Sequence, residues 1–209
     1  MGNLLLVDHP VVADRVGRLR DVNTSASAFR QLVAEVSVFV AYEALRDLAR
    51  GESVIDTPVA AEVSVTQVSE SVLLVPVLRA GLGMVQAIQE LLPLTRVAHV
   101  GLRRDETTHR ADVYLNRLPP NLAGQRLVVC DPMLATGGSL ATVCSLAVER
   151  GATNVTALCL IASQPGLEYF HSIHPDILVA CAGVDAALND NAFIVPGLGD
   201  AGDRLFGPP

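Results

Sequence analysis

The sequence contains no lysine, since all 15 of its basic residues are arginine. This absence excludes chemistry that needs a lysine amine, namely Schiff-base catalysis, a pyridoxal anchor and the lysine of a P-loop nucleotide site. A genome that favours arginine codons is the simpler origin of the bias. The exclusion holds whatever the origin.

Cysteines and histidines are also few and scattered. No two of the four cysteines (Cys130, Cys144, Cys159 and Cys181) are close enough in sequence for a metal knuckle or a redox pair, and each lies in an apolar segment. This pattern predicts buried thiols in a reduced, cytoplasmic protein. The five histidines show no metal-ligand spacing, so we predict no structural metal.

Long apolar runs and excess positive charge are missing as well. No run reaches the roughly 18–20 residues that cross a bilayer, and residues 1–10 show no signal peptide, so no membrane partner is expected. The formal net charge is −7, which disfavours a nucleic-acid partner. Half of the 209 residues are apolar, enough for the core of one domain over residues 1–209.

Strand and helix patterns alternate through the middle of the chain. Solid apolar runs at 72–78 and 126–130 are typical of strands buried on both faces of a parallel sheet. The other predicted strands are 59–65, 97–102, 113–115, 155–161 and 177–181, and the predicted helices are 27–49, 82–92, 138–150 and 167–173, with a turn at Pro165-Gly166. This order predicts a doubly wound α/β sheet whose ligands lie beyond the carboxyl ends of its strands.

The segment Asp131–Ser139 leaves a buried strand and enters a helix. Its Thr136-Gly137-Gly138-Ser139 run lets a phosphate approach free backbone amides at a helix start, where the helix dipole adds positive charge. The alternative is an ordinary strand-to-helix turn capped by Ser139. The acid at the strand end favours a phosphate site.

Two arginine segments also follow predicted strands. Arg79 comes after the run 72–78, and Arg103-Arg104 opens a polar segment that reaches Asp112. Paired arginines at a strand end suit a polyanion such as diphosphate, and the polar loop is suited to close over a substrate. The alternatives are a surface arginine at Arg79 and a solvated charge run at Arg103–Thr107.

The segment Ile194–Asp203 contains a literal G-x-G-x-x-G match. We reject a dinucleotide site, because no helix and second strand follow it. A frayed tail is the alternative, but the apolar Leu205 and Phe206 tie the segment down. Its backbone amides are placed to contact the edge of a flat heterocycle.

Together these segments resemble the uracil phosphoribosyltransferase family over nearly the whole chain. The segment at 131–139 resembles that family's phosphoribosyl-diphosphate loop, and the one at 194–206 its uracil-binding tail; 75–84, 23–25 and 41–43 fit as well. Two departures fall in the polar loop: Arg103 stands where the family has an aromatic residue, and the proline expected near Ala111 is missing.

The resemblance implies a phosphoribosyltransferase-like α/β fold: a doubly wound, mostly parallel sheet with a flexible β-loop over the site. In this family fold a helical segment at about 1–50 packs on the phosphoribosyltransferase domain, and residues 190–209 form the uracil-binding tail. The implied reaction is uracil plus 5-phosphoribosyl 1-diphosphate (PRPP) giving UMP and diphosphate. Mg²⁺ as cofactor, GTP as effector and a homodimer or higher homo-oligomer are implied too.

The resemblance also assigns residues. Catalytic roles fall to Arg79, Arg104, Asp131 and Asp200. PRPP contacts fall to Arg79, Arg104, Asp131, Pro132, Met133, Leu134, Ala135, Thr136, Gly137, Gly138, Ser139 and Asp200. Uracil contacts fall to Ile194, Gly199, Asp200 and Ala201. No protein side chains form a metal site in this assignment, since Mg²⁺ is held mainly by the substrate diphosphate.

Two alternatives keep part of this interpretation. One is a phosphoribosyltransferase for a purine or for orotate, which the 194–203 segment disfavours. The other is a regulator that binds PRPP or UMP and then an RNA or protein partner, which the acidic charge disfavours.

Overall fold

The structure, a computed structural model, describes residues 3–104 and 111–208. Its helices are α1 Pro10–Arg20, α2 Ala26–Ala44, α3 Leu82–Leu91, α4 Gly138–Val148, α5 Gln164–Ile173 and α6 Ala201–Phe206. Its strands are β1 Leu4–Leu6, β2 Arg50–Ile55, β3 Val63–Val68, β4 Val72–Leu78, β5 Arg96–Val97, β6 Val100–Arg104, β7 Ala111–Asn116, β8 Arg126–Cys130, β9 Met133–Leu134, β10 Asn154–Leu158, β11 Ile161–Ser163, β12 Leu178–Cys181, β13 Gly183–Asp185, β14 Ala187–Leu188 and β15 Ile194–Val195.

A central sheet organises the molecule. Its strands run in the order β1-β12-β10-β8-β4-β6-β7, and β5 pairs beside β4. All pairings are parallel except that of β6 with β7. The predicted α/β class with a mostly parallel sheet is therefore confirmed.

Both faces of this sheet are buried, because side chains alternate along each strand. On β4, Leu74 packs into a cluster with residues of α1, α2, α3 and α6, whereas Leu73 and Val75 pack into a second cluster with α4 and α5. Helices on both faces make the sheet doubly wound, as predicted. All four cysteines are buried and unpaired in these cores, and burial raises the pKa of the Cys144 thiol to about 12.

A small second sheet lies beyond the carboxyl ends of three central strands. Strands β8, β10 and β12 each break after their last residue and continue as β9, β11 and β13. These three short strands pair in the order β13-β11-β9, again in parallel. The predicted single strand at 155–161 spans this break.

Some predicted boundaries were wrong. Residues 59–62 lie in the connection of the β2–β3 hairpin instead of starting a strand, and β2 was not predicted. Pro165 and Gly166 lie in the first turn of α5, where a fixed φ and a missing N–H do no harm. Helix α2 ends at Ala44 and not at 49.

Strand β7 returns antiparallel to β6, with Arg104 opposite Ala111. The predicted strand at 113–115 is thus confirmed. The flexible loop predicted over the site spans 103–112, but its two ends pair with each other in β6 and β7, and the rest, 105–110, lies outside the described residues. Within 3–104 and 111–208, no helix is both long enough and apolar enough to span a bilayer.

Candidate active site

Three neighbouring strands deliver polar residues to one edge of the central sheet. Strand β4 is followed by Arg79 and β8 by Asp131, and the two strands pair in register up to Pro76 and Cys130. Strand β6, on the other side of β4, ends at Arg104. The carboxyl ends of parallel strands meet at one edge, so the backbones of these three residues lie on the same side of the sheet. The side chain of Arg104 is outside the described part.

The loop after β8 is held tightly against α5. Gly137 adopts a φ of 79°, and a Cβ there would lie 2.5 Å from the carbonyl oxygen of Gly166. The buried Ser163 hydroxyl donates to the carbonyl oxygen of Ala135 at 2.5 Å and accepts from the backbone N–H of Gly166 at 2.9 Å. This loop therefore has one close-packed conformation that leads into the start of α4 at Gly138.

Asp131 is half-buried at the start of this loop. Desolvation raises the pKa of its carboxyl group to about 7, and the nearby charge of Asp200 acts in the same direction. The backbone N–H of Met133 donates to Asp131 Oδ1 at 3.4 Å, a long contact that only partly offsets the burial. A carboxyl group whose pKa is raised to near 7 and that lies in a cleft is typical of functional sites.

The segment from β15 to α6 forms the opposite wall. Ile194 and Ala201 are buried, whereas Gly199, at φ 79°, and Asp200 are exposed. The Asp200 side chain caps α6 by accepting from the backbone N–H of Asp203 at 2.9 Å. The cap thus fixes the start of α6 directly after the two exposed residues Gly199 and Asp200.

Arg79 faces α6 across the site. Its Nη2 lies 3.3 Å from Asp203 Oδ1, and both side chains are about half exposed. A pair at that distance and exposure is weak.

A cavity of about 290 Å³ opens between the two loops. Its lining is Ala80, Asp131, Met133, Ala135, Asn191, Ala192, Phe193, Ile194, Gly199, Asp200, Ala201 and Gly202. Seven of the residues assigned from the sequence thus share one cavity. Pro132 and Leu134 are buried, and Arg79 and the 136–139 run lie outside the lining. The lining residues Asn191–Phe193 fall within the tail predicted at 190–209, but no individual role was assigned to them.

A family model described as uracil phosphoribosyltransferase matches residues 6–208. The chain belongs to the uracil phosphoribosyltransferase family. A uracil phosphoribosyltransferase of Kineococcus radiotolerans is 47% identical over 98% of both chains. One from Clostridium perfringens is 44% identical over 99% of both.

Solved structures share the fold of this chain. An Aquifex aeolicus protein superposes with a TM-score of 0.91 at 32% identity, over 98% of both chains. A hypoxanthine-guanine phosphoribosyltransferase from Bacillus anthracis reaches a TM-score of 0.52 at 12% identity, over 77% of this chain and 80% of that one. At that identity only the fold is shared, and the predicted phosphoribosyltransferase-like fold is confirmed.

Proposed function

We propose that this protein transfers the 5-phosphoribosyl group of PRPP to uracil, giving UMP and diphosphate. One observation carries the proposal: the loop after β8 and the loop before α6 line the same cavity. A phosphorylated sugar and a planar base must meet at the C1 carbon of the ribose, and two loops facing one cavity suit such a pair.

The backbone amides of residues 136–139 are proposed to bind the 5-phosphate. These residues lead into an 11-residue helix, whose first amides have no partner within the helix. Asp131, at the cavity wall, is proposed to face the ribose. Burial favours the protonated form of this carboxyl group. Hydrogen bonds from the ribose hydroxyls would instead favour the carboxylate.

Arg79 and Arg104 are proposed to bind the diphosphate. Negative charge grows on that group as the bond to C1 breaks, so a fixed cation there stabilises the transition state more than the ground state. Arg79 is only weakly held by Asp203, so the substrate has a cation available.

Mg²⁺ fits the carboxylates of this cavity. Asp131 and Asp200 both line it, and carboxylate oxygens are ligands that Mg²⁺ accepts beside water and phosphate oxygens. No group of three or more His, Cys, Asp or Glu side chains suited to a metal occurs within 3–104 and 111–208, so diphosphate would supply most ligands. Bound there, the ion would neutralise charge on the leaving diphosphate.

Backbone groups of Ile194, Gly199 and Ala201, with Asp200, are proposed to contact uracil. Uracil has an acceptor oxygen at C4 where cytosine has an amino donor. A backbone amide directed at that oxygen would lose its partner with cytosine, at about 1–3 kcal/mol per group, or roughly ten- to hundredfold. We therefore expect cytosine to be a poor substrate.

The direct test measures UMP formed from radiolabelled uracil and PRPP, with and without Mg²⁺, beside cytosine, orotate and hypoxanthine. UMP formation from uracil well above the other bases supports the proposal. Equal turnover of uracil and cytosine would contradict the base-recognition account. Turnover of another base alone would overturn the function.

Self-association, a GTP effector and a cytoplasmic location also belong to the proposal. The β2–β3 hairpin exposes Val54, Ile55 and Val59, an apolar surface that a second copy would cover. Light scattering gives the oligomeric state, and the UMP assay with added GTP reports activation. A monomer in solution would refute self-association. A rate of UMP formation that does not change with GTP would refute the effector.

A further inference from the structure

We propose that Arg20 and Asp185 are positioning residues that hold the base loop, residues 194–201, in register with the phosphate loop, residues 131–139, and thereby set uracil affinity and selectivity. The inference rests on the proposed function, since it assigns those two loops to uracil and PRPP. Neither residue lines the cavity.

The ion pair binds both backbone polar groups of one residue of the base loop. Arg20 donates to Asp185 through both of its terminal nitrogens, at 2.7 and 2.8 Å. Asp185 Oδ2 also accepts the backbone N–H of Gly197 at 3.0 Å, and Arg20 Nη1 donates to the carbonyl oxygen of Gly197 at 2.9 Å. Both polar groups of Gly197 are therefore held by the same pair.

Gly197 is the point where the loop bends. Its φ is 61°, and a Cβ at this position would overlap the carbonyl oxygen of Ile194. Asp185 is only 7% exposed, and a buried ion pair is by itself weak evidence for stability. Its directional contacts to the backbone, by contrast, select one conformation of the bend, and Gly199 follows two residues later.

The same aspartate is linked to the phosphate loop through the small sheet. Asp185 on β13 pairs with Ser163 on β11, and Ala162 pairs with Leu134 on β9. Strand β9 lies inside the phosphate loop, and Ser163 also binds the carbonyl oxygen of Ala135. Three adjacent strands thus fix the distance from the phosphate loop to the residue that holds the base loop.

A second arginine links the base loop to the C-terminal end of α1, where Arg20 also lies. Arg204 donates to the carbonyl oxygens of Leu19, Leu198 and Asp21, and its guanidinium lies 4.1 Å from the centroid of the Phe29 ring. Leu19, Arg20 and Asp21 form the end of α1, so both sides of the bend at Gly197 and Leu198 are anchored to one support.

The test compares Asp185→Asn with wild type under saturating concentrations of the other substrate. Asparagine keeps the size and one acceptor but removes the charge that holds Arg20. We expect the KM for uracil to rise about tenfold, the effect of losing one charge-assisted contact, with kcat and the KM for PRPP little changed. The preference for uracil over cytosine falls as well, because a looser loop aims its amides less well.

Two further variants separate positioning from folding. Arg20→Lys keeps the charge and a donor, so its KM for uracil should rise less than that of Arg20→Met.

Asp47→Asn is the control. Asp47 accepts two hydrogen bonds from the buried Arg126, at 2.7 and 3.1 Å. Arg126 begins β8, at the end of the sheet opposite the site. It is expected to leave both KM values unchanged.

The outcomes are distinct. A wild type that makes no UMP refutes the proposed function. An active wild type whose Asp185→Asn and Arg20→Met variants change both KM values equally, or no more than Asp47→Asn does, refutes the positioning role. If Asp185→Asn fails to fold, the Arg20→Met and Arg20→Lys pair decides, and equal uracil KM values in those two overturn the proposal.

Discussion

Replacing Gly137 with alanine probes the phosphate loop directly. The residue has a φ of 79°, and an added Cβ would lie 2.5 Å from the carbonyl oxygen of Gly166 and 3.2 Å from a ring carbon of Tyr169. Gly124 offers a matched control: its φ is 72°, but its Cβ position has no atom within 4 Å. The two substitutions share the same backbone strain and differ in the contact with α5.

The shared strain sets the expected stability loss. A left-handed φ costs an L-residue about 1–2 kcal/mol, which in a chain of this size lowers Tm by roughly 2–8 °C. Gly124→Ala is expected to show only that. Gly137→Ala must also move the loop away from the backbone of Gly166, which displaces the amides proposed to hold the 5-phosphate. Losing one charged hydrogen bond there costs about 1.5–3 kcal/mol, or roughly ten- to hundredfold in PRPP affinity.

The assay is the KM for PRPP at saturating uracil, beside the Tm of both variants. We expect a large rise in KM for Gly137→Ala and none for Gly124→Ala. A Gly137→Ala enzyme whose KM for PRPP equals that of Gly124→Ala would refute the placement of the phosphate at this loop.

Three other predictions follow from the site. Because burial raises the pKa of Asp131 to about 7, the folded state binds its proton more tightly than the unfolded state. The free energy of unfolding of the ligand-free protein therefore falls as pH rises from about 4 to about 7, and Asp131→Asn removes this part of the dependence in denaturant titrations. Ser163→Ala removes the hydroxyl that caps α5 and binds Ala135, so it lowers the free energy of unfolding by about 0.5–2 kcal/mol and raises the KM for PRPP. Arg104→Ala is expected to lower kcat/KM for PRPP with no change in Tm.

Local signals were sufficient to predict the strands that carry the site. The runs of β4 and β8 are apolar throughout because both of their faces are buried, and the residues that follow each run stand where ligands bind in parallel sheets. Seven assigned residues indeed line one cavity, although their roles stay a prediction.

The supporting residues could not be predicted in the same way. Arg20 and Asp185 lie 165 positions apart, and each alone resembles an ordinary surface charge. Ser163 shares its hydroxyl between the cap of α5 and a loop 28 residues earlier, and although a serine before Pro165 is a local signal for the cap, no local pattern predicts the bond to that loop. Such contacts depend on the order of strands in the sheet, which hydrophobic periodicity does not specify.

Charge pairing serves two different purposes in this acidic protein. A net charge of −7 opposes a polyanionic substrate only weakly at a distance, because salt screens charges beyond about 8 Å under physiological conditions. Groups at the site therefore decide binding. The exposed pair of Arg79 with Asp203, at 3.3 Å, is worth about 1 kcal/mol or less, so a diphosphate bound as proposed would displace the carboxylate easily. The pair of Arg20 with Asp185 is bidentate and bound to the backbone through both residues, and its side chains are only 25% and 7% exposed, so we expect it to stay closed when substrate binds. In the proposed mechanism a weak, exposed pair would release Arg79 to the substrate and a less exposed pair would shape the base loop, so exposure to water distinguishes the two.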